Sequence, residues 1–375
     1  MRIGFDLRSF LKEETGVGVY FRNLLRELAA VDRENEYFLF SSSWKDRFPP
    51  ERLPGFARQR FRDFRLPVRL VNFLWYRIGW PTLDSFFRAR LDLTHSPVPL
   101  HLPTRGRKVI TVCDLFFLEH PELADEEARR NFVRRVGRAV SEADGVITIS
   151  EYSRRIILER LGGGAAGVRA VPLGVDRVFF EPPPRDRLED LRRTLGLPEK
   201  FALFVGAFEP RKNLPRLVEA WRAVRDRRRD AVLVLAGRKG GDFENVRDAV
   251  RRLRLEKAVR IIGYIAREEL SGLYRLATLF LFPSLCEGFG LPLLEAMASG
   301  LPAAVSATSA LPEVAGDAAV YFDPLQSESI AEAAWSLMED ESLRRDLSRR
   351  GEERARRFPW SETARLTLEF YGSLA

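Results

Sequence analysis

The sequence predicts an α/β protein that consists of two doubly wound, parallel-sheet domains. Its 375 residues exceed one ordinary domain and are enough for two, each with a substantial core. Short apolar runs alternate with segments whose apolar residues recur at helical spacing, which is the pattern of a parallel sheet covered by helices. This pattern restarts after the proline-rich stretch FFEPPPRD, which favours an extended connector.

In the first half, the apolar runs predict six strands, and the segments between them predict helices. The expected strands are Arg2–Asp6, Tyr37–Ser41, Leu91–His95, Lys108–Val112, Gly145–Ile149 and Val168–Val171. The expected helices are Val19–Ala30, Glu126–Val140 and Glu151–Leu161, the last with Ser150 as its N-cap.

The second half repeats this alternation, so we expect a first domain over residues 1–180, a second over 186–357 and a terminal helix over 358–375. Its expected strands are Phe201–Val205, Ala231–Ala236, Val259–Ile262, Leu279–Phe282, Ala303–Ser306 and Ala319–Phe322. Its expected helices are Leu214–Arg227, Phe243–Leu253, Leu270–Ala277, Ile330–Glu339, Leu343–Phe358 and Ser361–Leu374.

The composition is that of a soluble globular protein, with 45% hydrophobic and 30% charged residues. No run has the length of a signal-peptide core or a membrane helix, so we expect a cytoplasmic protein. Cys113 and Cys286 match no metal-ligand spacing, which predicts neither a zinc site nor a structural disulfide.

The formal net charge of +8 favours anionic partners, such as phosphorylated small molecules, an anionic membrane surface or nucleic acid. The sequence has no helix-turn-helix, zinc-finger or RNP-type signature, so nucleic acid is not the expected partner.

The most informative segment is FPSLCEGFGLPLLEAMASGLP, in which a strand leads through a Gly-rich turn into a short helix. Phe289, Gly290 and Leu291 lead into this helix, and the first backbone N–H groups of the helix can form a cradle for phosphate. Glu287 in the turn and Glu295 on the helix flank this cradle. Because carboxylates repel phosphate, we expect both to accept hydrogen bonds from sugar or ribose hydroxyls. The alternative is that Glu295 only favours its helix terminus and Glu287 is a solvated loop residue.

A second signal follows strand Phe201–Val205, which ends at Gly206 before the loop residues Arg211 and Lys212. A helix starts nearby, with Asn213 as the expected cap. Because both cations follow a strand, they share the strand-end edge with the glutamate turn. An Arg fork beside a mobile Lys suits the charge that develops on a departing diphosphate, although two basic residues in so basic a chain could also be a solvated surface.

Two further groups lie at strand ends in the first domain. Gly16 and Gly18 precede a helix and permit close approach of the backbone to a ligand. They do not complete the Rossmann fingerprint, which disfavours a tightly bound dinucleotide. Asp114 follows strand Lys108–Val112.

Five segments carry a family resemblance, namely EGFGLPLLEAMASGLP, AFEPRKNLPRLVEA, GYIAREELSGLYRLATLFLFPS, VPLGVD and ITISEYS. They resemble the retaining glycosyltransferases of family 4, in particular the mannosyltransferase B-like group. The resemblance covers nearly the whole chain. It implies a GT-B fold, in which two Rossmann-like domains face each other across a cleft. The C-terminal domain would bind the nucleotide sugar and the N-terminal domain the acceptor.

The resemblance also implies roles for single residues. Arg211 and Lys212 would neutralise the donor diphosphate, Glu295 would bind the ribose and Glu287 the transferred sugar. The other implied donor contacts are Gly16, Gly18, Gly206, Phe289, Gly290 and Leu291, with Tyr264 and Ile265 near the base. It implies no metal and a same-face reaction that retains the anomeric configuration, with the leaving phosphate assisting deprotonation of the acceptor.

The chain departs from the family where relatives often have His-Asp, because Cys113 precedes Asp114 here. We expect Asp114 to contact the acceptor or the sugar. His120 could replace the missing histidine, and His95 at the end of a strand is a second candidate, although a lone histidine is more often structural.

The acceptor is predicted least directly. Aromatic residues alternate with arginines from Phe56 to Arg90, which suits either a membrane interface with anionic lipid or ordinary core helices with exposed arginines. The membrane interpretation favours a polyprenyl-linked saccharide in surface polysaccharide synthesis. We expect transfer of a hexose, with GDP-mannose as the first candidate and a GDP-sugar favoured over a UDP-sugar. The alternatives are a GT-B epimerase and a non-catalytic nucleotide-sugar-binding protein.

Overall fold

The computed structural model describes residues 1–8, 16–123, 126–162 and 167–374, without the side chains of 126–131. It divides into two compact units. The N-terminal unit is Met1–Gly174 together with Pro359–Ala375, and the C-terminal unit is Val175–Phe358. The change of unit therefore falls six residues before the expected end of the first domain at residue 180, and the chain returns to the N-terminal unit at residue 359.

Within its described residues, the N-terminal unit contains a seven-stranded sheet of order β3-β2-β1-β4-β5-β6-β7, in which all neighbours are parallel. The strands are β1 Arg2–Asp6, β2 Glu36–Ser42, β3 Gln59–Phe64, β4 Leu93–Ser96, β5 Arg107–Val112, β6 Gly145–Thr148 and β7 Val168–Ala170. The helices are α1 Gly16–Val31, α2 Val68–Phe73, α3 Leu83–Phe87, α4 Phe116–Glu119, α5 Glu126–Glu142 and α6 Glu151–Arg160.

The C-terminal unit contains a six-stranded parallel sheet of order β10-β9-β8-β11-β12-β13 in the part of the chain that the structure describes. The strands are β8 Ala202–Val205, β9 Leu233–Ala236, β10 Val259–Gly263, β11 Leu279–Phe282, β12 Ala303–Ser306 and β13 Ala319–Phe322. The helices are α7 Arg185–Thr194, α8 Leu214–Arg227, α9 Phe243–Arg252, α10 Arg267–Leu276, α11 Leu291–Ala298, α12 Leu311–Ala315, α13 Ser327–Glu339 and α14 Glu341–Ala355. A final helix, α15 Trp360–Ser373, belongs to the N-terminal unit.

The central strands of the C-terminal unit are continuous apolar runs because helices cover both faces of the sheet. Strands β9, β11 and β12 are buried at every residue. The strand order reverses between β8 and β11, which are hydrogen-bonded neighbours. Ligands of open α/β sheets bind outside the carboxyl ends of the strands at such a reversal. The loops after β8 and β11 therefore hold the expected ligand site of this unit.

Three local predictions differ from the structure. Strand β3 was not expected, because this edge strand is mostly polar (QRFRDF), has no apolar run and contains no fully buried residue. The expected connector is partly helical, since a 3₁₀ turn covers Arg177–Phe179 and α7 begins at Arg185, directly after the last proline. Asn213 occupies the N-cap position of α8 without making a side-chain cap. The expected cap at Ser150 is confirmed, since its side chain accepts a hydrogen bond from Ser153 N at 3.0 Å.

Among the described residues, no helix is both long enough and apolar enough to span a membrane.

Candidate active site

The loops after β8 and β11 are joined by a backbone hydrogen bond at the strand-order reversal. Leu285 N donates to Arg211 O at 2.8 Å. Arg211 and Lys212 lie in a 3₁₀ turn, Pro210–Lys212, that follows β8. Because β8 and β11 are adjacent and parallel, the two cations and the glutamate turn are brought to the same sheet edge, as the sequence predicted.

Glu287 forms ion pairs with both cations. Arg211 Nη1 lies 2.9 Å from Glu287 Oε2, and Lys212 Nζ donates to Glu287 Oε1. Lys212 is 5% exposed and Glu287 is 6% exposed, so water screens this cluster little. The Lys212 ammonium also lies 4.9 Å from the centroid of the Phe282 ring, which adds a cation–π contact at its buried end.

These neighbours keep Glu287 ionised. Burial by itself raises the pKa of the Glu287 carboxyl, but Lys212 and Arg211 outweigh burial and hold that pKa at about 2. Burial and the adjacent Arg211 charge lower the pKa of Lys212, while Glu287 opposes this change. The cluster is therefore a buried carboxylate between two cations.

A second carboxylate contacts the same cluster. Glu209 Oε2 accepts a hydrogen bond from Arg211 Nε at 2.9 Å, and its side chain is 44% exposed. The two cations are thus balanced by two carboxylates. A diphosphate that binds to Arg211 and Lys212 has to compete with Glu287 and Glu209 for them.

Asn213 holds neighbouring loops instead of capping α8. Its Nδ2 donates to Pro283 O at 3.2 Å and to Pro324 O at 2.7 Å. These two carbonyls follow β11 and β13. The residue adopts a left-handed backbone conformation, with φ of 57°, which Asn tolerates better than most residues. The predicted cap at Asn213 was wrong because its side chain bonds to distant residues, and a local sequence pattern does not show such contacts.

Glu295 lies on α11 and is contacted at both of its oxygens. Arg267 Nη1 donates to Glu295 Oε1 at 3.3 Å, and Tyr274 Oη donates to Glu295 Oε2 at 3.2 Å. Arg267 also forms an ion pair with Asp176. Arg267 and Tyr274 both come from α10, so this helix fixes the orientation of the Glu295 carboxyl group.

The pKa of Glu295 is near neutrality. Burial raises the pKa of this carboxyl, Arg267 and Tyr274 oppose burial, Asp176 adds a small increase, and the result is about 7. The two glutamates of one motif therefore differ in charge. Glu287 is ionised throughout the physiological range, whereas Glu295 gains and loses its proton near neutral pH.

The turn between the two glutamates requires glycine. Gly290 has φ of 104°, and a Cβ atom at this position would lie 2.7 Å from Leu311 Cδ2. Phe289 is 2% exposed and packs edge-on against Phe358, with ring centroids 5.8 Å apart. Leu291 begins α11. These three residues form the turn into α11, where the sequence predicts an anion cradle at the helix N-terminus.

The remaining residues predicted for the donor lie at the ends of β8 and β10. A Cβ atom on Gly206 would lie 2.9 Å from Phe204 Cζ, so glycine avoids a close contact with the Phe204 ring, and it would lie at ordinary contact distance, 3.7 Å, from Lys212 Cε. Tyr264 is 56% exposed, and Ile265 is buried. The guanidinium of Arg238, which follows β9, lies 4.7 Å from the centroid of the Tyr264 ring.

Two candidates of the N-terminal unit lie in the loop after β5. Asp114 Oδ1 accepts a hydrogen bond from Phe116 N at 2.8 Å, and both Cys113 and Asp114 are half-buried. His120 is also half-buried, and its Nδ1 lies 3.1 Å from Glu122 Oε1. Asp114 therefore holds the start of α4 while remaining partly accessible.

His95 is placed in the core of the N-terminal unit. It is 0% exposed, its Nδ1 lies 2.5 Å from Tyr371 Oη, and its Nε2 lies 2.7 Å from Thr111 Oγ1. Burial lowers the pKa of His95 to about 3, so the ring is neutral. In this structure His95 joins α15 to the sheet and presents no surface to a ligand.

Gly16 is the first residue of α1 and is exposed, whereas Gly18 is buried. The loop that the sequence assigned to the diphosphate includes residues 9–15, which lie outside the described residues.

Sequence reasoning missed five side chains that contact the predicted site residues or their partners, namely Asp176, Glu209, Arg238, Arg267 and Tyr274. Four of them lie in the motifs quoted above, since Glu209 lies in AFEPRKNLPRLVEA, Asp176 ends VPLGVD, and Arg267 and Tyr274 lie in GYIAREELSGLYRLATLFLFPS. No local pattern distinguished them from their neighbours. Within the described residues, no group of three or more His, Cys, Asp or Glu side chains is arranged to hold a metal ion.

Comparison with known proteins identifies the family. The profile described as "Glycosyl transferases group 1" matches residues 189–354, and "Glycosyltransferase Family 4" matches residues 15–179. The D-inositol 3-phosphate glycosyltransferase of Kineococcus radiotolerans is 31% identical over 341 residues, which cover 84% of this chain and 73% of that protein. The chain belongs to glycosyltransferase family 4. The O-antigen chain mannosyltransferase B of Escherichia coli is 28% identical to this family 4 glycosyltransferase, over 99% of each chain.

Solved structures agree on the fold of this family 4 glycosyltransferase. Sucrose-phosphate synthase from Thermosynechococcus elongatus superposes with a TM-score of 0.79 at 21% identity, over 100% of this chain and 98% of the other. Anabaena HepE in complex with UDP-glucose gives 0.77 at 18% identity, over 100% of both chains. The expected GT-B fold, with two Rossmann-like parallel-sheet units, is thereby confirmed.

Proposed function

We propose that this glycosyltransferase moves a hexose from a nucleotide sugar to a saccharide or polyprenyl-linked saccharide, with retention of configuration and without a metal ion. The observation that carries this proposal is the cluster of Arg211, Lys212 and Glu287 at the strand-order reversal. Two preorganised cations beside a helix N-terminus can stabilise the charge that develops on a leaving diphosphate. They supply the electrostatic stabilisation that a metal ion provides in other sites.

The donor is held by the C-terminal unit in this proposal. Arg211 and Lys212 bind the diphosphate, Glu295 accepts hydrogen bonds from the ribose hydroxyls, and Glu287 addresses the sugar. The backbone of Phe289, Gly290 and Leu291 and the small residue Gly206 leave room for the phosphate groups and the sugar. Gly16 and Gly18 of the N-terminal unit allow the first loop to approach the diphosphate.

GDP-mannose is the first donor to test. The E. coli relative that matches nearly the whole chain is a mannosyltransferase by name. Arg238, stacked on the exposed ring of Tyr264 near Ile265, has the planar fork that pairs with O6 and N7 of guanine. Uracil has no matching pair of acceptors. We therefore propose a preference for a GDP-sugar over a UDP-sugar.

The name of the same relative, which refers to O-antigen chains, supports a proposal for the acceptor and the cellular location. We propose that the enzyme extends a lipid-linked saccharide of a surface polysaccharide in the cytoplasm, at the inner face of the plasma membrane. Asp114 and His120 of the N-terminal unit are the proposed contacts to the acceptor or the sugar, and His95 supports their sheet from within.

A transfer assay tests the reaction class and the donor together. The enzyme is incubated with GDP-mannose, UDP-glucose or UDP-galactose and a mannose-terminated oligosaccharide, with and without EDTA, and the products are analysed by mass spectrometry and NMR. We expect an α-linked mannosyl product from GDP-mannose, unaffected by EDTA. A β-linked product, or activity abolished by EDTA and restored by a divalent cation, would contradict the proposed mechanism.

The same assay separates the alternative functions. An epimerase would convert the donor sugar without an acceptor, and a non-catalytic binding protein would bind the donor and leave it unchanged. Arg238→Gln tests the proposed base preference, because it should weaken GDP binding by about tenfold while changing UDP binding little.

A further inference from the structure

A segment of the N-terminal unit exposes an unusual concentration of apolar side chains. Twelve large apolar or aromatic side chains are strongly exposed among the described residues, and five of them fall within residues 70–80. They are Leu70 at 45%, Phe73 at 57%, Tyr76 at 38%, Ile78 at 58% and Trp80 at 64%. Scattered exposed apolar residues are ordinary, whereas a contiguous group marks an interaction surface.

This segment is firmly attached to its unit by its other face. Val71 is 1% exposed and Trp75 is 3% exposed, and Trp75 Nε1 donates to Pro81 O at 2.9 Å. The buried Arg8 donates from Nη1 to Asn72 Oδ1 at 3.0 Å, and its guanidinium lies 4.6 Å from the centroid of the Trp75 ring. The outward side chains therefore belong to an ordered element, α2 followed by one π-helical turn, Leu74–Ile78.

The charge of the segment is of one sign. Residues 65–83, RLPVRLVNFLWYRIGWPTL, contain Arg65, Arg69 and Arg77 and neither Asp nor Glu, and all three arginines are exposed. On α14, by contrast, exposed arginines pair with acidic residues, as Arg345 does with Glu341 and Arg349 with Glu353. Arginines next to outward aromatic and aliphatic side chains complement a surface that is anionic outside and apolar beneath.

We infer that Leu70, Phe73, Ile78 and Trp80, with Arg69 and Arg77, form a docking face for an anionic lipid bilayer. The apolar side chains enter the region between headgroups and acyl chains, and the arginines pair with lipid phosphates. This goes beyond the proposed transfer reaction because it depends on no residue of the donor cluster. A bilayer-bound N-terminal unit would meet an acceptor that is itself anchored in lipid.

Vesicle flotation with the full-length protein tests the inference without any sugar substrate. The probes are vesicles of phosphatidylcholine alone and of phosphatidylcholine mixed with phosphatidylglycerol. We expect the protein to float with the anionic vesicles at low salt and to be released at high salt. Equal binding to both kinds of vesicle, or none to the anionic ones, would overturn the inference.

Two variants locate the face. Arg69→Gln with Arg77→Gln should weaken binding to anionic vesicles by about thirtyfold, since each basic residue near the surface contributes about one kcal/mol. Leu70→Ser with Phe73→Ser should abolish flotation. The matched controls are Arg345→Gln with Arg349→Gln on α14 and Leu325→Ser, which is 59% exposed in the C-terminal unit. The controls should bind as the unmodified protein does.

The same protein samples are used to check that each variant is folded and that the face does not bind a second copy of the chain instead of lipid. Each variant should keep its thermal midpoint and its affinity for nucleoside diphosphate, which separates a failure of docking from a failure of the proposed function. Sedimentation without lipid distinguishes a bilayer from a second copy of the chain. If the unmodified protein self-associates and the Leu70→Ser, Phe73→Ser variant does not, while flotation is unchanged, the face is a protein interface and the inference is wrong.

Discussion

Glu287 Oε2 accepts a hydrogen bond from Arg211 Nη1 at 2.9 Å. The Glu287 carboxylate is therefore hydrogen-bonded to the same guanidinium that is proposed to bind the donor diphosphate. The same carboxylate also accepts from Lys212. Glu287 therefore offsets part of the charge of two adjacent cations, and Glu209, which pairs with Arg211, offsets the rest, in a place where uncompensated like charges are costly. A diphosphate that binds Arg211 and Lys212 replaces the Glu287 carboxylate as the anionic partner of these two cations.

Removing one cation of this cluster should weaken donor binding and slow transfer. Arg211→Gln and Lys212→Met each remove one charge that faces the leaving diphosphate, and we expect each to reduce kcat/KM by about a hundredfold or more. Arg216→Gln on α8, which lies outside the Glu287 cluster and contacts Asn213, is the control. Steady-state kinetics check this expectation, and retained activity in both cation variants would show that the cluster is structural.

Donor affinity should rise with pH through neutrality. The pKa of Glu295 in the folded protein is raised from 4.5 to about 7, so its carboxyl is protonated below about 7 and ionised above it. An ionised carboxylate accepts the ribose hydroxyls better than a protonated one. Calorimetric titration of nucleoside diphosphate at several pH values measures the rise, and Glu295→Gln should abolish it. An unchanged pH profile in that variant would remove Glu295 from the explanation.

Arg267 and Asp176 should move this pH profile in opposite directions. Arg267 lowers the pKa of Glu295 and Asp176 raises it. We therefore expect Arg267→Gln to shift the rise in affinity to higher pH and Asp176→Asn to shift it to lower pH, while Arg267→Lys restores most of the original profile. A purely structural role for the pair predicts weaker binding at every pH, with the midpoint unmoved.

A methyl group at the turn should disrupt the anion cradle. Gly290→Ala places a side chain in a backbone conformation with φ of 104° and within 2.7 Å of Leu311 Cδ2. The strain costs about 1 to 2 kcal/mol before any clash, and we expect it to lower nucleotide affinity by at least tenfold. Gly372→Ala on α15, where no atom lies within 4 Å of the added Cβ, should leave affinity unchanged. Binding measured by fluorescence or calorimetry distinguishes the two.

His95 should matter for stability and little for acceptor binding. Its ring nitrogens lie within hydrogen-bond distance of Tyr371 and Thr111 in a fully buried place. His95→Ala leaves a cavity and removes the ring partner of the buried Tyr371 hydroxyl, while Thr111 keeps its hydrogen bond to Tyr20, and we expect a loss of about 2 to 4 kcal/mol. Thermal unfolding should occur at a lower temperature, with KM for the acceptor nearly unchanged. A raised acceptor KM at an unchanged midpoint would instead support a contact to the acceptor.

The sequence was sufficient to predict the alternation of strands and helices. It also predicted the sheet edge that carries Glu287, Glu295, Arg211 and Lys212. Each of these residues follows a strand or opens a helix, and such local signals survive without tertiary information. The pairing of Glu287 with the cations could not be predicted, because it depends on β11 lying beside β8. Strand β3 was missed since an edge strand needs only one half-buried face.

Arg267 illustrates a second limit of sequence reasoning. In a chain with 61 Lys and Arg residues, one arginine at the start of a helix carries no distinguishing pattern. Its role becomes visible only through its distances to Glu295 and Asp176. The same applies to Asn213, whose position at the start of α8 indicates a cap, while its amide is used by two distant carbonyls.

The affinity of Glu287→Gln for nucleoside diphosphate tests the central claim most directly. If Glu287 competes with the diphosphate for Arg211 and Lys212, its neutral variant should bind GDP more tightly than the unmodified protein, by about tenfold, and should transfer no sugar. Calorimetric titration of GDP into both proteins at one ionic strength provides the comparison. A loss of GDP affinity as large as that of Arg211→Gln would contradict the account.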